Sequence, residues 1–223
     1  MVNKTPLILL LAIAGDLAGQ GPVGSWSDHL SYSSARSIAV SSSMVYASTG
    51  SAVMVYDKEY SELKKVTRVQ GLSETSISTI AWSEEQEALI VAYASTNIDI
   101  IRNNTVNNIP DIKRKYIPGR KEIFSIKAKG RHAWLSTSFG IVVIDITRNE
   151  ISDTWKPGDE DGTSEVYDMI FHGDKVYAAT NTGVYYADAG SAGLSYFGNW
   201  HLMTSLPSPS GSYNAITASG NKI

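Results

Sequence analysis

The feature that most constrains this chain is an internal repeat of apolar runs around short turns. Four copies occupy residues 44–57, 89–100, 133–145 and 176–188. Their matching positions are Thr49, Ala94, Thr137 and Thr180. A repeat of roughly 40–45 residues built from short strands is typical of a β-propeller blade. We therefore predict an all-β chain with essentially no helix.

Each repeat is predicted to begin with a short apolar strand, followed by a polar turn and two central strands. The predicted first strands are residues 37–40, 78–82, 124–128 and 167–171. Gly140 and Gly183 occupy equivalent turn positions, where glycine adopts a positive φ at little cost. Asn97 falls at the same point of the second unit and is predicted to adopt that geometry.

Tryptophans mark the predicted outermost strands. Trp155 and Trp200 each precede the first strand of the next unit, and Trp26 holds the same position near the N-terminus. Their repeated placement favours blade packing over sugar stacking. The segment around Trp26 is therefore predicted to be an outer strand that completes the last blade of a ring.

The number of units predicts an incomplete ring. Residues 213–218 resemble the first strand of a fifth unit. We expect a partial propeller of about four blades plus the start of a fifth, in a truncated N-terminal propeller domain over residues 20–223. A closed four-bladed ring is the alternative, since propellers begin at about four blades. An open sheet edge would make the isolated chain prone to association.

The N-terminus is predicted to be a secretory signal peptide over residues 1–19. Lys4 precedes the apolar run 7–14, and small residues follow at Gly15, Ala18 and Gly19. This order is that of an export signal, and the run is too short to span a bilayer comfortably. A buried N-terminal helix or a retained anchor is the alternative. No other stretch is long and apolar enough to cross a membrane.

Composition excludes several function classes. The formal net charge is −3, so no strong field attracts nucleic acid, and there are no cysteines for thiolate metal sites or nucleophiles. The histidines are isolated, and no nucleophile elbow or phosphate loop is present. We expect a chain that is not an enzyme. The rival is a propeller hydrolase or lyase with carboxylates near the central channel, for which Asp168 is the candidate.

Residues 112–121 form the only basic cluster of the sequence. The candidate ligand-binding residues are Lys113, Arg114, Lys115, Arg120 and Lys121. Pro110, Pro118 and Gly119 indicate a loop between units. Such a cluster suits phosphate or carboxylate groups of a glycan or a lipid headgroup. A solvated outer strand and loop is the alternative.

An acidic loop over residues 158–165 is a candidate calcium site. Asp159, Asp161 and Glu165 would supply the oxygen ligands that Ca²⁺ prefers. The spacing departs from an EF-hand loop, so an ordinary acidic surface turn is the alternative. No other cofactor is expected.

Several segments of the chain resemble PorZ-type proteins of the type IX secretion system of Bacteroidetes. These are Trp26 with residues 29–32, then residues 71–73, 97–99, 108–114, 139–142, 150–155 and 178–183. The resemblance covers essentially the whole mature chain and is with the N-terminal propeller. It implies a longer protein with two seven-bladed propellers and a C-terminal sorting domain.

That resemblance also implies a location and partners. The family is expected at the cell surface, associated with the outer membrane, in an attachment complex with a sortase-like partner. It is thought to present anionic lipopolysaccharide; without a sorting domain, the periplasm is the expected location. The rival is a glycan-sensing extracellular propeller of a hybrid two-component regulator, which a downstream membrane span and kinase motifs would indicate.

Overall fold

The computed structural model of the protein describes residues 32–158, 164–220 and 222–223. They form four antiparallel sheets of four strands, and in each sheet the strands pair in chain order. We number these sheets as blades 1 to 4. Each blade is therefore a simple meander, the arrangement that adjacent hairpins produce.

The strand bounds of each blade are as follows. Blade 1 contains β1 (Ser37–Val40), β2 (Met44–Ser48), β3 (Val53–Asp57) and β4 (Glu62–Val66). Blade 2 contains β5 (Ile77–Ser83), β6 (Ala88–Tyr93), β7 (Ile98–Arg102) and β8 (Thr105–Ile109). Blade 3 contains β9 (Ile123–Lys129), β10 (His132–Thr137), β11 (Gly140–Asp145) and β12 (Glu150–Trp155). Blade 4 contains β13 (Val166–His172), β14 (Lys175–Thr180), β15 (Gly183–Asp188) and β16 (His201–Leu202).

The first strands of successive blades contact one another, β1 with β5, β5 with β9 and β9 with β13. They are the innermost strands of a radial array, so the prediction of a partial β-propeller is confirmed. Three apolar clusters fill the spaces between blades 1 and 2, 2 and 3, and 3 and 4. Every residue of β6 and β11 is buried because neighbouring blades cover both faces of these strands.

The matching threonines of the repeat perform the same task in three blades. The hydroxyls of Thr137 and Thr180 donate to the carbonyls of Gly140 and Gly183, both at 2.8 Å, and Thr49 bonds the carbonyl of Ala52 at 3.3 Å. Each bond closes the turn between the second and third strands. Gly140 has φ 118°, and a Cβ there would lie 2.4 Å from the carbonyl oxygen of Trp155.

The prediction for Asn97 is wrong by one position. In the turn between β6 and β7 the residue with positive φ is Thr96, at 64°. Alanine replaces threonine at position 94, so the side-chain bond that closes the other turns is missing. The turn instead closes through the main chain, with Tyr93 N–H donating to the carbonyl of Asn97 at 2.9 Å and Thr96 N–H to that of Tyr93 at 2.8 Å.

The predicted packing role of the tryptophans is confirmed for the two that the structure describes. Trp155 and Trp200 are buried, with ring centroids 6.3 Å apart, in the cluster between blades 3 and 4. The indole N–H of Trp200 donates to the carbonyl of Leu194 at 2.9 Å. Trp26 and its predicted outer strand lie outside the described residues, as does the predicted signal peptide.

Side chains at the start of the inner strands bond to the next inner segment. Ser37 accepts from Ile80 N–H at 3.2 Å, Ser125 donates to Asp168 at 3.1 Å, and Asp168 accepts from Ile216 N–H at 3.3 Å. Residues 213–218 thus run beside blade 4, where the next inner strand would lie. The predicted strand is nevertheless not formed, because the described residues after it supply only the bridge between Ser219 and Lys222.

The expectation of essentially no helix needs one correction. A one-turn helix, α1 (Asp111–Arg114), follows β8, and Arg68–Gln70 and Phe197–Asn199 form short 3₁₀ turns. Ile112 on α1 is buried in the cluster between blades 2 and 3, which fixes the turn to the blades. In the described ranges, no helix has the length and apolar character needed to cross a membrane.

Candidate anion-binding groove

A groove of about 1050 Å³ opens between the connection that follows blade 2 and the outer strands of blade 3. It is bounded by the connection between β8 and β9, the turn between β10 and β11, and the end of β12. These segments share one end of the propeller because alternate strands of a meander run in opposite directions. Its lining residues are Asp111, Ile112, Arg114, Lys115, Tyr116, Ile117, Pro118, Gly119, Arg120, Ser138, Phe139, Val142, Ile151, Thr154, Lys156 and Glu165.

The floor of the groove is apolar. It consists of Ile112, Ile117, Phe139, Val142 and Ile151, all of which belong to or pack on the cluster between blades 2 and 3. Ile112 and Val142 are buried, whereas the other three are partly exposed. The groove is thus the open outer end of an inter-blade core.

Three cations on the rim of the groove have side chains without a partner among the described residues. Arg114 and Lys115 lie at the end of α1, and Lys156 follows β12 on the other side of the groove; all three are exposed. None of these three side chains bonds to another of the described residues. We call Arg114, Lys115 and Lys156 the free rim. Tyr116, beside them, is 87% exposed.

Two residues of the predicted basic cluster are held in ion pairs. Lys113 Nζ lies 2.8 Å from Glu74 Oε1, on the connection between blades 1 and 2. Burial alone would raise the pKa of Glu74, but hydrogen bonds from Lys113 and Ser95 lower it. Arg120 lies on the groove and contacts Glu122 and Glu165, each at 3.0 Å. The charge of Arg120 is therefore partly neutralised, and Arg120 does not belong to the free rim.

Lys121 has a structural role. Its Nζ donates to the carbonyls of Ile112, Lys113 and Lys115 at 3.1, 2.9 and 3.2 Å. These are carbonyls at the end of α1, where a helix lacks internal partners and a cation is favoured. Lys121 thus holds the turn that carries Arg114 and Lys115, and neither it nor Lys113 lines the groove.

The predicted calcium site stays a prediction. Asp159 and Asp161 lie outside the described residues. Glu165 accepts from Arg120 at 3.0 Å and from the hydroxyl of Tyr167 at 2.8 Å, and this bond raises the pKa of Tyr167. Within the part of the chain that the structure describes, no three acidic or histidine side chains are grouped as metal ligands.

Two further carboxylates, Asp168 and Asp99, are held by polar contacts within the fold. Asp168, the candidate for channel chemistry, accepts from Ser125 and Ile216 and lies 3.2 Å from Lys127 Nζ. Its oxygens therefore join inner strands. Asp99 is fully buried and accepts hydrogen bonds from Ser73, Tyr93 and Asn108.

Sequence reasoning missed Lys156 and the apolar floor. Lys156 stands alone in the sequence, directly after Trp155, so no cluster of charge marks it. The signal available was topological. Residues 110–122 follow blade 2 and Lys156 follows blade 3, and the ends of the fourth strands lie at the same end of a propeller.

The fold and the groove define a class of protein, a β-propeller module with an open groove beside one blade. A family model narrows this class. The model of the PorZ N-terminal β-propeller domain of the type IX secretion system matches residues 45–201. The match covers more than half of the chain. The chain belongs to this family, and the resemblance noted from the sequence is confirmed.

Solved structures support the same fold. PorZ of Porphyromonas gingivalis, an essential surface component of its type IX secretion system, is 26% identical, with a TM-score of 0.70 over 81% of this chain and 24% of PorZ. The extracellular domain of a putative hybrid two-component system, BT4673 of B. thetaiotaomicron, is 14% identical, with a TM-score of 0.57 over 71% of this chain and 21% of that one. Apo AztD of Citrobacter koseri is 16% identical, with a TM-score of 0.51 over 70% and 43%.

The last two likenesses show the fold alone. This chain spans about a quarter of the length of the PorZ structure. No curated protein matches the chain significantly in sequence.

Proposed function

We propose that this chain is an exported, non-enzymatic propeller module of a type IX secretion system complex at the cell surface. The observation that carries the proposal is the family match over residues 45–201. The PorZ of Porphyromonas gingivalis is a bacterial surface component of that system, and export of this chain would place it in the same compartment.

Within that complex, the module would present anionic lipopolysaccharide or act as a scaffold for partners such as a sortase-like enzyme. The free rim supports the first role. Arg114, Lys115 and Lys156 are exposed cations without a side-chain partner among the described residues, and they lie beside one groove. Arginine and lysine bind phosphate and carboxylate groups through charge-assisted hydrogen bonds.

The test measures how much lipopolysaccharide the full chain captures at low and at high salt. The lipopolysaccharide is purified from the organism that encodes this protein. Replacing Arg114, Lys115 and Lys156 with Gln should weaken capture, and the remaining capture should depend less on salt, because salt screens exposed charges. The matched control replaces Lys64, Arg68 and Lys222, which are exposed and outside the groove. Equal capture by the two triple variants would contradict the proposed role.

The sensor alternative has no observation in its favour beyond the fold. The likeness to the two-component extracellular domain is at 14% identity, so it carries no functional argument.

A further inference from the structure

We propose that the groove binds both parts of an amphipathic anion, the acidic headgroup at the free rim and a hydrocarbon chain along the apolar floor. The occupant is an anionic lipid with an acyl chain. This inference rests on the proposed function, because it specifies which part of an anionic ligand the same groove would hold.

The floor provides the first observation. Its five side chains are hydrocarbon, and Ile117, Phe139 and Ile151 are partly exposed in the free chain. A purely hydrophilic anion would leave these side chains in contact with water. An alkyl chain lying on them removes apolar surface from water, which favours binding. The volume of about 1050 Å³ is at the upper end of ligand sites, roughly 300–1,000 Å³.

The polar groups near the floor favour a hydrocarbon chain over a peptide. The Ser138 hydroxyl already accepts from Glu122 N–H at 3.0 Å and donates to the carbonyl of Arg120 at 2.6 Å. The N–H groups of Thr154 and Lys156 are bonded to Asp153 and Leu194. Ser138, Thr154 and Lys156 therefore offer no unpaired backbone N–H to a peptide carbonyl lying against them, and burying a carbonyl unpaired is unfavourable.

The rim provides the third observation. Arg114 and Lys115 belong to the connection after blade 2, whereas Lys156 belongs to the connection after blade 3. The groove lies between them, so an acidic headgroup at its mouth meets cations from two sides. Among the described lining residues, Asp111 and Glu165 are the acidic ones, and Glu165 is already paired with Arg120. The described lining therefore carries a surplus of positive charge, which favours an anion.

Titration calorimetry of the full chain with three probes tests the inference. The probes are monomeric dodecyl phosphate, inorganic phosphate and dodecyl maltoside. Dodecyl phosphate should bind at least about a hundredfold more tightly than inorganic phosphate, because each buried methylene adds to binding. It should also bind more tightly than the neutral maltoside, which lacks the charge.

Two variants separate the two parts of the groove. Arg114→Gln should weaken dodecyl phosphate binding by about tenfold through loss of a charge-assisted contact. Its control is Arg68→Gln, an exposed arginine in the short 3₁₀ turn between blades 1 and 2. Phe139→Ala should weaken binding of both dodecyl probes by about tenfold and leave phosphate unaffected. Its control is Phe197→Ala, outside the groove, and Ile151→Thr replaces it if Phe139→Ala fails to fold.

Equal binding of dodecyl phosphate and inorganic phosphate, unchanged by Phe139→Ala, would overturn the inference and leave the proposed capture of lipopolysaccharide intact. Equal binding of dodecyl maltoside and dodecyl phosphate would also overturn it. An acidic peptide containing phenylalanine that displaces dodecyl phosphate at lower concentration would identify a peptide groove instead. Failure of lipopolysaccharide capture alongside tight dodecyl phosphate binding would contradict the proposed function alone.

Discussion

Charged side chains inside and beneath blades 2 and 3 differ in their contacts from those on the rim of the groove. Asp99 in blade 2 is fully buried and accepts from Ser73 N–H, the Ser73 hydroxyl, the Tyr93 hydroxyl and the Asn108 amide at 2.5–2.8 Å. Lys121 beneath the rim is bonded to three carbonyls. In the part of the chain that the structure describes, the free rim has no such partners.

This difference separates the charged side chains that stabilise the fold from those that are available to bind a ligand. A buried charge must be paired, since its desolvation is otherwise too costly. An exposed cation in water needs no partner and adds little to stability. Substitutions can therefore be ordered by their effect on the free energy of unfolding, and the free rim should come last.

The largest effect is expected for Asp99→Ala. The change removes the acceptor of four hydrogen bonds and leaves the buried Tyr93 hydroxyl without its partner. The free energy of unfolding should fall by about 3 kcal/mol, measured by urea denaturation. Asp111→Ala, an exposed aspartate on α1, is the control. If Asp99→Ala lowers the free energy of unfolding no more than Asp111→Ala does, the stabilising role of the buried carboxylate is contradicted.

Asp145 should give the next largest effect, and it depends on pH. Burial raises the pKa of this carboxyl, but hydrogen bonds from Arg131 and Thr147 outweigh it and hold the pKa well below its usual value. Its stabilisation is therefore present above the unfolded pKa of about 3.9 and is lost as pH falls through the folded value.

The measurement compares the free energy of unfolding of the wild type and Asp145→Asn at about pH 6 and about pH 3. Asp145→Asn should cost about 2 kcal/mol at the higher pH and less at the lower pH. A cost that stays constant between the two values would show that ionisation of Asp145 does not contribute.

A smaller loss is expected for Lys121→Met. The variant keeps the apolar stem and removes three hydrogen bonds to the carbonyls at the end of α1. Because that end is partly exposed and water can replace the bonds, the cost should be about 1 kcal/mol in thermal or urea denaturation. Lys115→Met is the matched control and should leave stability unchanged.

The smallest effect on stability is expected for Arg114→Gln and Lys156→Gln. Each should change the free energy of unfolding by less than about 0.5 kcal/mol, because both side chains are exposed and unpaired among the described residues. Both should nevertheless weaken anion binding. If either variant lowers the free energy of unfolding as much as Lys121→Met does, its residue stabilises the fold, contrary to this prediction.

The repeat was sufficient to predict the blades, because alternating runs and turns recur at a fixed spacing and each first strand lies within a residue or two of its predicted bounds. Local departures from the repeat were harder to predict. Asn97 is a favourable residue for positive φ, yet the alanine at position 94 changed how the turn closes, and Thr96 took that geometry instead. Residues 213–218 have a strand-like pattern but lack a paired ladder.

The candidate site was predicted only in part. Charge density identified the segment 112–121, but it could not separate Lys121, bonded to carbonyls, from Arg114, whose side chain has no partner among the described residues. Lys156 and Phe139 are distant in sequence from that segment and become neighbours only through the stacking of blades. Their role depends on tertiary contacts that no local pattern encodes.

The central claim is that the groove between the connection after blade 2 and blade 3 is the anion site. A crystal structure with bound dodecyl phosphate tests this claim most directly. The account predicts the phosphate within hydrogen-bonding distance of Arg114 or Lys156 and the alkyl chain against Phe139 and Ile151. A ligand bound on another face of the propeller, with this groove empty, would contradict it.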